Sequence, residues 1–122
     1  MPRFINLDRL TLPPLPVDAR AQLERVLTAL VEDYGAEKII AFGSSVRGTA
    51  TEHSDVDLCV IREHPVGCTR PTYDALTAAA KSRPLISTDI LVRTPGQIAA
   101  ARRHPFGVMD EILNHGLPVY EG

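Results

Sequence analysis

Two aspartates one residue apart, Asp55 and Asp57, open the otherwise apolar run Val56-Asp57-Leu58-Cys59-Val60-Ile61. The β-branched and apolar content makes this run a strand, Asp55 to Ile61 or Arg62. Strand side chains repeat every two residues, so both carboxylates project from one face, away from Val56, Leu58 and Val60. Like charges side by side repel and add nothing to packing. A divalent cation between them is the natural remedy. Ten residues earlier, Gly43-Ser44 breaks a short buried strand, Lys38-Ile39-Ile40-Ala41-Phe42. A turn of such small residues can aim its backbone N–H groups at an anion. A phosphate cradle opposite a pair of acids points to nucleoside triphosphate chemistry.

Each site residue has a chemical reason to be there. Asp55 and Asp57 are hard oxygen ligands suited to Mg²⁺, which keeps phosphate oxygens and waters alongside few protein ligands. Two such ions about 3.5–4 Å apart can stabilise the attacking and leaving oxygens of a displacement at phosphorus. Gly43 would let the chain approach the β- and γ-phosphates closely, and the Ser44 hydroxyl can donate to a phosphate oxygen. Arg47 can offer its planar fork to phosphate, or pair with a carboxylate to hold the turn. Asp89 is a third acid, set in a strand where Ile86, Thr88, Ile90 and Val92 fill one face. An acid there is costly unless it binds metal or forms an ion pair, with Arg93 or Arg62 in reach. The histidines carry less: His53 reads as a solvated loop residue, and His64, His104 and His115 as surface or cap residues. Arg102-Arg103 complements a helix end.

The run Gly43-Ser44-Ser45-Val46-Arg47-Gly48, followed by Ser54-Asp55-Val56-Asp57 and its apolar tail, resembles the signature of the nucleotidyltransferase superfamily that includes DNA polymerase beta. Within that superfamily the chain is similar to the minimal nucleotidyltransferases (the MNT group), small prokaryotic proteins often paired with a HEPN-domain partner. The resemblance spans Leu23 to Gly122. It implies a polymerase-beta-like core in which Asp55, Asp57 and a third carboxylate bind metal. In the family that third acid sits on a following strand and can accept the proton of the attacking hydroxyl; Asp89 matches it by position. The resemblance also implies transfer of AMP from ATP to a tyrosine of a HEPN toxin, which makes this chain the antitoxin.

Around the signature the elements alternate. Four prolines among the first sixteen residues rule out a regular helix there. Their apolar neighbours, Phe4 to Leu15, suit an arm draped over the domain or a partner, or else a disordered tail. Residues 17–122 read as one domain. Leu23, Leu27, Leu30 and Tyr34 form a helical stripe over Val17 to Tyr34, stopped by Gly35. A brief helix is expected near Ser45, a loop over Glu63 to Arg70, and a helix from Pro71 to Ser82 with Tyr73, Leu76 and Ala80 on one face. Leu85 to Arg93 reads as the third strand. Thr94-Pro95-Gly96-Gln97 matches a capping box opening a helix over Pro95 to Arg103. A further helix near Pro105 would bury Phe106, Met109 and Leu113, and Pro118-Val119-Tyr120 would end the chain extended. This order predicts an α/β (α+β) fold, a mixed three- to four-stranded sheet covered by helices.

Composition bounds the function. A chain of 122 residues with 44% hydrophobic content supports one core. A formal charge of −2 argues against general nucleic-acid binding, while a triphosphate needs only local cations. Cys59 and Cys68 form no C-x-x-C and read as reduced thiols. No apolar run approaches ~18 residues and no signal-peptide core opens the chain, so a cytoplasmic protein without a membrane partner is expected. Larger relatives add a helical domain for the acceptor. Here the acceptor would sit on a partner's surface or across a homo-oligomer interface. Two alternatives stand beside adenylyl transfer to a protein. One is an antitoxin that occludes its partner through Leu10, Leu12 and Leu15, with a regulatory nucleotide site. The other is a small-molecule nucleotidyltransferase.

Overall fold

The computed structural model describes residues 2–51, 53–63, 71–81 and 83–122, with the side chains of 71–73 left aside. Four strands form one mixed sheet in the order β3-β2-β1-β4. They are β1 (Lys38–Phe42), β2 (Val56–Ile61), β3 (Thr88–Arg93) and β4 (Leu117–Glu121). β1 runs antiparallel to both β2 and β4, while β2 and β3 are parallel. A parallel pair needs a crossover, and helix α3 (Pro71–Ala80) supplies it. The expected mixed sheet with helical cover is what the chain forms, and β4 is its fourth strand rather than a loose extended end. Pro118 is tolerated there because β4 is an edge.

Helix α1 (Ala19–Ala29) begins where the Asp18 carboxylate accepts hydrogen bonds from the backbone N–H groups of Arg20 and Ala21. It continues as a π-helical turn, Leu30–Tyr34, and stops at Gly35, whose φ of 89° suits glycine. Leu23, Val26, Leu27 and Leu30 are fully buried, so the expected stripe is the packing face. They meet Ile39, Ala41, Val56, Leu58, Val60, Ile90 and Val92, the side chains of one sheet face. On the opposite face Ile40, Phe42, Cys59 and Ile61 pack with Ile98 and Ile112. Those last two come from α4 (Pro95–Arg103) and α5 (Val108–His115). The Thr94–Gln97 capping box is formed in full at the head of α4.

The N-terminal arm is held by its own domain. Ile5 N–H donates to the Val119 carbonyl at 2.9 Å, and Asn6 Nδ2 donates to the Pro118 carbonyl at 2.8 Å. Leu7 is buried in a short 3₁₀ turn, Leu7–Arg9. Phe4, Leu10, Leu12 and Leu15 pack against the main core. The leucines expected to be available for occluding a partner are therefore engaged internally.

Two expected faces and one strand boundary need correction. In α3 the buried residues are Ala75, Ala78 and Ala79, whereas Leu76 is 44% exposed and Ala80 is exposed. Small side chains there let α3 lie close to α1, and Leu76 falls on the outer side. Tyr73's side chain, and the expected loop beyond Glu63 with His64 and Cys68, lie outside the described residues. Around α5 Phe106 is 85% exposed, because the helix starts only at Val108; its buried anchor is Ile112, flanked by half-buried Met109 and Leu113. β3 starts at Thr88, three residues later than expected. These assignments predict opposite outcomes for two leucines in urea denaturation. Leu27→Ala should lose about 2–5 kcal/mol through a core cavity, whereas Leu76→Ala should stay within about 0.5 kcal/mol of wild type.

Candidate functional site

Antiparallel pairing sets Phe42 opposite Asp57, and Gly43 comes next in the chain. Gly43 adopts φ 77° and ψ −150°, a region essentially reserved for glycine. A Cβ built there would lie 2.1 Å from Asp57 Oδ2. The sequence therefore needs glycine for two separate reasons, backbone conformation and the carboxylate packed against it. The chain then turns into the short helix α2 (Ser44–Arg47), with Val46 and Arg47 N–H both donating to the Gly43 carbonyl at 3.1 Å. Gly48 ends it at φ 79°. Ser45 is buried, and its carbonyl accepts from Thr11 N–H of the arm at 2.8 Å. Ser44 beside it is half-buried, and its hydroxyl has no hydrogen-bond partner among the described residues.

The parallel register places Asp57 directly beside Asp89. Asp55 lies just ahead of β2, entered through a turn in which Thr51 N–H donates to Ser54 Oγ at 2.8 Å. Asp55 and Asp89 are exposed and Asp57 is half-buried. None of the three carboxylates has an ion-pair partner among the described residues. The two arginines considered for Asp89 are turned elsewhere. Arg62 donates to the Tyr34 carbonyl and lies over the Tyr34 ring, and Arg93 Nη1 donates to the Val92 carbonyl at 2.8 Å.

Burial and like charge both act on Asp57. Its carboxyl is pushed above the usual range first by desolvation, then by Asp89, Asp55 and Glu111, while Arg47 opposes them. Glu111, in the first turn of α5, is a neighbour that local sequence patterns do not reveal. It accepts a hydrogen bond from Arg47 Nη1 across 64 residues of sequence. Arg47 is thus paired with a carboxylate, though of a distant helix rather than its own turn. His53 is exposed on the loop before Ser54, and His104 and His115 are exposed at helix ends. Cys59 is buried, which pushes its thiol up to about 11 and leaves it without nucleophilic character.

Among the described residues no group of three His, Cys, Asp or Glu side chains is placed to hold a metal ion. The donor set is nonetheless of the right kind. A carboxylate made harder to charge by burial and by two neighbouring acids, with no ion pair to any of the three among the described residues, suits a hard divalent ion whose remaining ligands are substrate phosphates and waters.

The family model described as "Nucleotidyltransferase domain" matches residues 23–97, more than half of the chain and the segment holding Gly43, Ser44, Asp55, Asp57 and Asp89. The chain belongs to that family. It is a nucleotidyltransferase domain of the superfamily that includes DNA polymerase beta. Such domains generally use divalent metals and nucleoside triphosphates. No curated protein matches the chain. Among the described residues, no helix of the nucleotidyltransferase is long and apolar enough to cross a membrane.

Two substitutions test this geometry by stability alone. Asp57→Asn should stabilise the fold at pH 7 by about 0.2–1 kcal/mol, the usual scale for relieving like charges across strands. The raised carboxyl value gives the sign. Charging Asp57 is harder in the folded state, so its penalty is complete above the raised value and vanishes below the ordinary 3.8. Melting curves of the variant and wild type should therefore converge as pH falls below that value. Gly43→Ala should destabilise by at least about 1–3 kcal/mol from backbone strain.

Proposed function

We propose that this nucleotidyltransferase transfers AMP from ATP to a hydroxyl, that of a tyrosine on a HEPN-type toxin, and so acts as an antitoxin. The observation that carries the reading is the carboxylate cluster Asp55, Asp57 and Asp89, set against the Gly43 turn and in no ion pair among the described residues. The three acids would hold Mg²⁺, which when bound neutralises the triphosphate and favours attack at the α-phosphorus. Ser44 would donate its hydroxyl to a phosphate oxygen, and the N–H groups of the turn would face the same anion. Arg47 would bring guanidinium donors to the phosphates.

Asp89 is exposed at the edge strand, where an incoming hydroxyl can reach it, so it would accept the proton of that hydroxyl. The phenol oxygen then bonds to the α-phosphorus and the bond to pyrophosphate breaks. The engagement of Leu10, Leu12 and Leu15 in the chain's own core removes the main support for simple occlusion.

Co-expression with a HEPN partner followed by intact-mass spectrometry tests the proposal. Wild type should add about 329 Da per event to the partner, the mass of one adenylyl group in this chemistry. The Asp55→Asn/Asp57→Asn protein should add nothing while remaining folded. A partner left unmodified yet neutralised equally by both proteins would overturn adenylyl transfer. Asp89→Asn separates proton transfer from binding. The rate should fall by roughly 10²-fold or more while ATP affinity by calorimetry changes little. An unchanged rate in a folded variant would remove Asp89 from the chemistry.

A further inference from the structure

We propose that Glu111 is a positioning residue for Arg47, anchoring its guanidinium so that the remaining N–H groups are presented to a triphosphate at the Gly43-Ser44 turn. The inference rests on the nucleotide-binding reading above and extends it to a residue outside the matched segment 23–97. Arg47 is the last residue of α2, the helix that opens at Ser44, and its side chain is 57% exposed. A free arginine in that position would sample many rotamers, and ordering it on binding would weaken affinity. One Nη1 contact to Glu111 restricts those rotamers. Guanidinium has five donors in a fixed fork, so this contact leaves others for phosphate.

The anchor itself is fixed by burial. Ile112, the next residue, is fully buried with Ile40 and Phe42 on the sheet face opposite α1, which holds the α5 backbone against β1. Gly116 closes that approach, since a Cβ there would lie 2.6 Å from the Ile40 side chain. Asp110, the other acid of that first turn, is engaged by Asn114 Nδ2 at 2.6 Å and does not compete for Arg47. The pair also adjoins the acid cluster, because the charges of both Arg47 and Glu111 reach Asp57. An unbalanced Glu111 at this distance would repel an incoming triphosphate. Paired with Arg47, it presents a neutral ion pair with donors to spare.

Calorimetry of the full chain with ATP and Mg²⁺ tests the assignment through a double-mutant cycle. Glu111→Ala should weaken binding about fivefold, the upper range for a partly exposed ion pair. Arg47→Ala should weaken it at least as much, and the double variant should bind no more weakly than Arg47→Ala alone. Glu111→Gln retains an acceptor for the guanidinium and should recover part of the loss; it also reads the effect if the alanine variant melts early. Tighter binding by Glu111→Ala would show that the carboxylate only repels nucleotide, and would overturn the proposal. Losses that multiply in the double variant would overturn it too, since the two residues would then act separately. Wild type that binds neither ATP nor any other of the four ribonucleoside triphosphates would bring down the nucleotide reading and the positioning role together. Wild-type binding with an unchanged Glu111→Ala brings down the positioning role alone.

Discussion

The close approach of the Gly43 backbone to the Asp57 carboxylate sets the terms for everything around it. The space a Cβ would take at residue 43 is occupied by Asp57 Oδ2, so turn and acid can coexist only with glycine. The β1–β2 register brings them together by pairing Phe42 with Asp57. The turn cannot relax away either. Ser45 is buried beneath it, and the arm's Thr11 holds the Ser45 carbonyl. The proline-rich arm thus has a definite structural role, bracing from outside the turn that the strands brace from within.

Apolar layers on both sheet faces decide where the acids can sit. On the face toward α1 and α3 every inward residue of β2 is apolar and buried, which leaves no place for charge. On the other face Cys59 and Ile61 lie beneath α4 and α5, while Asp57, two residues earlier, is only half-buried. The cover stops short of the N-terminal ends of β2 and β3, and the carboxylates occupy that margin. Full burial of such a cluster would force its members to neutralise. Full exposure would forfeit the close packing against Gly43. Partial burial keeps an acidic cluster whose repulsion a bound cation would relieve.

Much of this arrangement was legible in the sequence, because its causes are local. The i, i+2 acids, the Gly43 break, the helical stripe from Leu23 to Tyr34 and the capping box at Thr94 each depend on residues a few positions apart. The errors arose where packing partners decide. Whether Leu76 or the alanines of α3 face inward depends on how closely α1 approaches, and no periodicity within α3 states that distance. Phe106 was expected inside because it is large and apolar, yet the helix starts two residues beyond it. β4 reads from sequence only as extended, since its pairing with β1 joins the first and last strands of the chain and bends at an irregular register. Glu111 left no local signal. Its acid in a first helical turn is ordinary, and only the tertiary contact with Arg47 marks it.

The exposure pattern bears on how an acceptor would be chosen. Asp55 and Asp89 face solvent, and β3, which carries Asp89, is an edge strand. Among the described residues, a cavity along α3 that reaches Arg83 and Thr88 and another between Asp33 and Lys81 are lined by neither of these acids. On the proposed reading, selectivity for the attacking hydroxyl would therefore come from surfaces that meet outside the acid cluster. On that reading the nucleotide would be positioned by this chain's turn and acids, whereas the acceptor would be oriented by its own contacts around the open margin. Such a division would make the rate for a free small hydroxyl poor and the rate for a docked one high, because most of the advantage would come from orientation that only docking supplies. A folded surface carrying the hydroxyl would then be the better substrate than the same side chain in a short peptide. On the proposed reading that difference would follow from an exposed Asp89 and owe nothing to the identity of the base.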